Sequence, residues 1–241
     1  MSKNLIIVPT YNEIENIRLI VQAILKEDDS FEILVVDDGS PDGTALEVKK
    51  LQSEYKDRIH LIERSGKLGL GTAYIAGFKY GLKHNYDYMF EMDADFSHPV
   101  SALKPMLNLC QEEETGVVVG SRYVKGGDIS NWSTYRLMLS YGASIYVRLV
   151  TGMRVKDPTA GFVCYKREVL ETMDLDAIKF IGYAFQIEMK YYTTRLGFTI
   201  KEYPITFIDR ELGTSKMDTS IFKEAVIGVL KMRMREYSPK S

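Results

Sequence analysis

The chain has 241 residues, 45% of them hydrophobic and 27% charged, with a formal net charge of −2. That length is enough for one sizeable core, and the charge balance excludes a global attraction to nucleic acid. Its two cysteines, Cys110 and Cys164, sit in apolar runs and read as core thiols rather than a disulfide framework, which fits a reducing, cytoplasmic setting.

From the N-terminus, Asn4 to Val8 reads as a short apolar strand, too short for a signal segment. Asn12 to Lys26 has helical spacing, with Ile14, Ile17, Val21, Ile24 and Leu25 on one face. The alternation then continues. Strands are predicted at Phe31 to Val36, Arg58 to Ile62, Tyr86 to Met92 and Val117 to Val119, and helices at Gly43 to Tyr55, Thr72 to Lys83 and Pro99 to Glu113. This order predicts an α/β, Rossmann-like fold, a mostly parallel sheet with helices on both faces.

The later part is mixed. A long amphipathic helix is expected over Trp132 to Val150, then a strand over Phe162 to Tyr165 and helices over Arg167 to Thr172 and Phe185 to Leu196. A strand near Thr199 to Pro204 and a helix over Ser220 to Arg235 complete the pattern. No stretch approaches the ~20 apolar residues of a membrane-spanning helix. The sequence divides into a catalytic part, 1–217, and a C-terminal amphipathic helix, 218–241, with Lys231, Arg233 and Arg235 at its basic end. Such a helix either lies on a membrane surface or packs on the core.

Ligands bind beyond the carboxyl ends of the strands of an open parallel sheet. The loops falling there are Pro9–Glu13, Asp37–Gly43, Ser65–Gly71 and Asp93–Pro99, so Glu13, Asp37, Asp38, Asp42, Asp93 and Asp95 crowd one edge together with Lys67. Like charges so placed repel unless a cation or donor groups compensate them. In Asp93-Ala94-Asp95 the two acids project to the same side of an extended chain, ~6.6–6.8 Å apart. That pair suits a hard divalent cation that also takes phosphate oxygens. His98, beside a helix start, reads as structural. The first strand–helix turn lacks glycine, which excludes the dinucleotide fingerprint, and neither a P-loop nor a G-x-S-x-G elbow occurs. Acids and a metal without a glycine cradle point to a leaving nucleoside diphosphate.

Val8-Pro9-Thr10-Tyr11-Asn12-Glu13, Val36-Asp37-Asp38-Gly39-Ser40-Pro41-Asp42-Gly43-Thr44 and Asp93-Ala94-Asp95 resemble the inverting glycosyltransferases of family two, with the GT-A fold. Gly66 to Tyr74, Gly120 to Tyr123, Asp157 to Phe162, Gly182 to Gln186 and Asp209 to Lys216 resemble its polyprenol-phosphate (dolichol-phosphate) mannosyltransferases. The likeness spans residues 4–217. It implies transfer of mannose from GDP-mannose to a polyprenyl phosphate in the membrane, with inversion and a divalent metal, Mg²⁺ or Mn²⁺. By position, it implies that Pro9, Tyr11, Glu13, Val36 and Asp38 hold guanosine, and that Asp93, Ala94 and Asp95 hold ribose, diphosphate and metal. Lys67 would join the donor site. Arg122, with Arg210 and Lys216, would meet phosphates or sugar, Asp95 and Arg122 being the catalytic pair. Ser97 stands where some relatives carry a further metal ligand, Gln; its shorter hydroxyl would reach the ion only through water. Arg136 and Ser140, four apart on one helix face, would hold the acceptor phosphate. The expected location is peripheral, on the cytoplasmic face of a membrane, attached by the last helix or by a membrane-anchoring partner protein. Another donor such as UDP-glucose, or a non-catalytic nucleotide-binding module, stays open.

Overall fold

The computed structural model describes residues 2–182, 184–209 and 220–240. Its strands are β1 (Asn4–Thr10), β2 (Phe31–Asp37), β3 (Ile59–Glu63), β4 (Tyr88–Glu91), β5 (Val117–Ser121), β6 (Asp128–Ser130), β7 (Val163–Lys166), β8 (Ile200–Pro204) and β9 (Thr206–Ile208). The helices are α1 (Ile17–Glu27), α2 (Thr44–Glu54), α3 (Leu70–Lys83), α4 (Leu103–Gln111), α5 (Thr134–Thr151), α6 (Arg167–Thr172), α7 (Ala184–Arg195) and α8 (Ser220–Met234).

Seven strands form one sheet in the order β3-β2-β1-β4-β7-β5-β8. Pairing is parallel throughout except at β7, which runs antiparallel to both β4 and β5. This reversal decides where the site lies. Because β5 again parallels β4, the loop after β5 and the loop before β7 emerge at the same edge as the ends of β1 to β4.

The strands are apolar on both sides, as a sheet covered on both faces requires. Ile6, Val8, Ile33 and Val35 face α1, α2 and α4, whereas Leu5, Ile7, Leu34 and Val36 face α3 and, further along, α7 and α8. Helix α7 is buried along Ala184–Thr193 even though Gln186, Glu188 and Lys190 are polar. Helix α8 packs on α5 and α7, with Val229 and Met232 buried.

Two features differ from the sequence pattern. Helix α1 begins at Ile17 rather than Asn12, because Asn12 adopts a left-handed φ of 58° and the following residues form a turn. Asn tolerates that conformation better than most residues. A small parallel pair, β6 with β9, has three residues in each strand, too few to show periodicity. The apolar stripe of α5 faces away from the core: only Ser144, Val147 and Thr151 of that helix are buried.

Candidate active site

The loops after β1 and β2 are stitched together by side chains from both. Asp37, buried at the end of β2, accepts from Thr10 Oγ1 at 2.8 Å, Ser40 Oγ at 2.6 Å and the Ser40 amide at 2.9 Å. Asp42 accepts from Thr44 Oγ1 at 2.6 Å and from the Ile14 amide at 3.1 Å, while the Glu13 amide donates to Thr44 Oγ1 at 3.1 Å. The Glu13 carboxylate accepts from Asn16 Nδ2 at 3.0 Å. Two loops with no regular structure are thereby given a fixed shape, as a binding site on loops requires.

Asp38 points from β2 towards the loop after β3. Its Oδ1 accepts from Arg64 Nε at 2.6 Å and its Oδ2 from the Leu68 amide at 3.3 Å. Arg64 also donates to Thr72 Oγ1 at 2.7 Å, so one guanidinium joins β2, the glycine-rich loop and the first turn of α3. Lys67 Nζ lies 5.4 Å from the centre of the Tyr11 ring, within cation–π range. Val36 is buried in the sheet beneath.

Asp93, Ala94, Asp95 and Ser97 follow β4. Tyr74 Oη, on α3, donates to Asp93 Oδ1 at 3.3 Å, and the Ser97 amide to Asp95 Oδ1 at 3.1 Å. Asp95 and Ser97 are buried, and Ser97 Oγ has no hydrogen-bond partner among the described residues. His98 Nδ1 accepts from the Asp93 amide at 3.2 Å, which places its proton on Nε2, and its ring stacks on Phe162 at 5.0 Å. Burial pushes its pKa below the ordinary value, against the opposing pull of Asp93 and Asp95. Among the described residues no three His, Cys, Asp or Glu side chains are grouped to hold an ion. Asp93 and Asp95 offer a carboxylate pair, and an ion held there would need its other ligands from a bound molecule or water. The oxygen-only donor set and the orphaned Ser97 hydroxyl fit a hard cation.

Beyond β5, Arg122 is clamped by Asp157. Nε meets Oδ2 and Nη2 meets Oδ1, both at 2.7 Å, and Nη2 also donates to Thr159 Oγ1 at 2.9 Å. Its charged head is lined by the rings of Tyr123, Trp132 and Phe207 at 5.3–5.6 Å. Trp132 also carries Arg136, whose guanidinium stacks 4.0 Å from the ring centre and donates to Asp209 Oδ2 at 2.6 Å. Ser140 Oγ accepts from Tyr123 Oη at 2.8 Å. A continuous aromatic path therefore leads from the acid edge to α5. Arg210 and Lys216 lie outside the described residues.

Sequence reasoning passed over several residues. Arg64, the partner of Asp38, is the charged residue directly after β3. Glu91, in an otherwise apolar strand, and Lys190, in α7, are wholly buried near one another. Burial pushes the Glu91 carboxyl up and the Lys190 ammonium down, each opposed by the charge of the other. Lys190 Nζ donates to the Ala160 carbonyl at 2.7 Å and so ties the loop that carries Asp157 to α7. The signal was present in both cases: a charge at a position whose neighbours all face the core.

A sheet with one reversed strand, and acids gathered on the edge that this reversal completes, defines a GT-A glycosyltransferase. The mannosyltransferase PcManGT of Pyrobaculum calidifontis, solved with GDP-Man and Mn²⁺, shares the fold. Its TM-score is 0.60 at 18% identity, over 95% of this chain and 69% of that one. Residues 5–174 match the glycosyl transferase family 2 domain, and the chain belongs to that family. It is 45% identical over 233 residues to the polyprenol monophosphomannose synthase of Mycolicibacterium smegmatis, covering 97% of this chain and 88% of that protein. It is also 45% identical over 225 residues to the undecaprenyl-phosphate mannosyltransferase of Micrococcus luteus, covering 93% of this chain and 91% of that protein.

Proposed function

We propose that this glycosyltransferase moves mannose from GDP-mannose to a polyprenyl monophosphate at the cytoplasmic face of a membrane, with inversion and with a divalent cation. The observation that carries the reading is the join between the acid edge and an exposed apolar helix. Through Arg122, Trp132 and Arg136 the loops after β4 and β5 lead onto α5, where Tyr135, Met138 and Leu149 are 74%, 69% and 79% exposed. A water-soluble acceptor gives no reason for such a surface; a lipid-borne phosphate does. The names of the two bacterial relatives support the same acceptor and sugar.

In this reading Pro9, Tyr11, Glu13, Asp38 and Lys67 receive the donor above the buried Val36, Asp93 and Asp95 would hold the cation, and Ser97 would reach it through water. The cation supplies stabilisation of the charge that develops on the departing diphosphate. Arg122, set by Asp157, contributes positive potential where that charge appears, and Arg210 and Lys216 are assigned to the same task. A phosphate monoester, with a second pKa of ~6, is largely a dianion near neutrality, so the acceptor attacks without a dedicated base. His98 is not needed for that role, since its Nδ1 is already engaged by the Asp93 amide.

No helix among the described residues is long and apolar enough to cross a membrane. Attachment is assigned to the surface of α5 and the adjoining part of α8, where Ile227, Leu230 and Met234 are exposed and Lys231 and Arg233 are basic. The test pairs GDP-mannose, UDP-glucose and other sugar nucleotides with a short-chain polyprenyl phosphate. Mannosyl transfer from GDP-mannose, dependent on Mg²⁺ or Mn²⁺, is expected; turnover confined to another donor, or none with any, would overturn the reading.

A further inference from the structure

Glu188 of α7 has no solvent exposure, and its carboxylate is shared between two distant parts of the chain. Oε2 accepts from the amides of Lys179 and Phe180, both at 2.9 Å. Oε1 accepts from Arg235 Nη1 at 3.0 Å and Tyr237 Oη at 3.1 Å. Arg235 also donates through Nη2 to the Ala177 carbonyl and lies over the Tyr237 ring at 5.2 Å. A carboxylate so deeply buried is tolerable only with donors of this number and strength, and removal of its cation leaves an uncompensated charge.

The segment that Glu188 holds, 177–182, is wedged between the C-terminal helix and the donor loop. On one side Phe180 fills the space beside Gly228 of α8, where a Cβ would stand 2.7 Å from its ring. On the other, the Ile181 carbonyl accepts from the Gly71 amide at 2.9 Å. A Cβ at Gly69, which has a φ of +98°, would stand 3.3 Å from Ile181, and one at Gly71 would stand 2.7 Å from the Phe185 ring. Packing this close transmits displacement rather than absorbing it. The loop it sets carries Lys67, over Tyr11, and Leu68, whose amide meets Asp38.

We infer that Glu188, Arg235 and Tyr237 are positioning residues for the donor site: the C-terminal tail clamps 177–182, and that segment fixes the Lys67–Gly71 loop against Asp38 and Tyr11. These residues lie beyond the region matched by the family domain, which ends at residue 174. The inference rests on the proposal that this edge binds the donor nucleotide, and adds what holds its glycine-rich loop.

The test compares Arg235→Ala, Arg235→Lys and Tyr237→Phe in the full chain, by steady-state kinetics and by amide hydrogen exchange. Arg235→Ala removes hydrogen bonds to Glu188 and to the Ala177 carbonyl; if part of that loss reaches the loop, the KM for GDP-mannose should rise roughly tenfold, with acceptor KM and kcat within about twofold. Arg235→Lys should recover most of the loss. Exchange over residues 67–72 should quicken more than exchange over β1 and β2. Donor and acceptor KM rising together, or exchange that is unchanged at 67–72 or faster everywhere alike, would overturn the clamp. Should Arg235→Ala fail to fold, Tyr237→Phe removes one hydrogen bond and must shift donor KM and loop exchange in the same direction; no shift would count against the proposal. If the wild type uses no GDP-mannose, the donor reading fails, and exchange at 67–72 still decides the clamp.

Discussion

Arg122 and Asp157 form a two-pronged ion pair at the carboxyl edge of the sheet, both contacts at 2.7 Å, with the Arg122 amide donating to the same carboxylate at 3.0 Å. Thirty-five residues separate them in sequence, and the reversed strand β7 brings them together. Asp157 fixes the guanidinium plane, so the direction in which Arg122 presents its charge is set before any ligand arrives.

Breaking this pair is expensive because both partners are buried. Asp157→Asn should destabilise the protein by about 3–5 kcal/mol near neutrality. Desolvation alone would raise the Asp157 pKa, but the charge and hydrogen bonds of Arg122 outweigh it and hold the carboxyl below its usual value. A depressed carboxylate contributes stability in full above its unfolded pKa of ~3.9 and loses it as pH falls through the lower folded value. Urea unfolding at pH 7 and pH 3 should therefore show the gap between wild type and Asp157→Asn narrowing only in acid. A gap independent of pH would mean that Arg122 does not hold the carboxylate ionised.

The carboxylate pair after β4 makes a second prediction. Asp95→Ala should abolish transfer and remove the metal dependence of GDP binding while leaving the fold intact, as titration calorimetry with and without Mn²⁺ would report. Ser97→Ala should behave differently. Its hydroxyl makes no hydrogen bond among the described residues, so stability should hardly change. A role through one water predicts metal binding about tenfold weaker, as for other outer-sphere partners. Unaltered metal affinity in Ser97→Ala would remove Ser97 from the site, and comparable turnover by Asp95→Ala would remove the metal from it.

The parallel half of the fold was legible because each of its strands is an apolar run bounded by loop residues, and the acid loops were legible because strand order places them on one edge. The reversal at β7 was not. Val163-Cys164-Tyr165 is apolar on both faces whichever way it runs, and direction shows only in pairing. Nor could spacing separate the acids by task. Asp37 and Asp38 are adjacent in sequence, yet one ties two loops through hydroxyls and the other pairs with Arg64. On α5, Leu137, Tyr141, Ile145 and Leu149 form the apolar stripe that the spacing predicts beside Arg136 and Ser140, and all four are exposed; periodicity alone does not say what covers such a stripe.

That exposure yields a third prediction. Helix α5 carries no acidic residue, and its Arg136 and Arg148 suit anionic headgroups. Met138→Glu and Leu149→Glu change side chains that are 69% and 79% exposed, so the folded protein should tolerate both. Each removes the gain of burying a large apolar side chain, about 1.5–3 kcal/mol. Co-sedimentation with anionic vesicles should weaken roughly ten- to a hundredfold, with turnover of a detergent-dispersed short-chain acceptor much less affected. Equal vesicle binding by wild type and both variants would mean that another surface meets the membrane.

The last prediction separates a lipid-phosphate grip from a surface ion pair. Arg136 stacks on Trp132 and gives one N–H to Asp209, and a guanidinium has five N–H donors. If the others receive the acceptor phosphate, Arg136→Ala loses a charge-assisted hydrogen bond worth ~1.5–3 kcal/mol, which corresponds to roughly a ten- to hundredfold rise in acceptor KM. Donor KM should barely move. Asp209→Asn keeps an oxygen to orient Arg136 but removes a negative charge beside an anionic ligand, so it should lower acceptor KM a few-fold. The two variants thus move the same constant in opposite directions. A bridge that merely pins α5 to the end of β9 would make them move together, because either change weakens the same contact. Parallel effects of Arg136→Ala and Asp209→Asn on acceptor KM would therefore reduce Arg136 to a structural residue and shift the acceptor phosphate to the neighbourhood of Arg122.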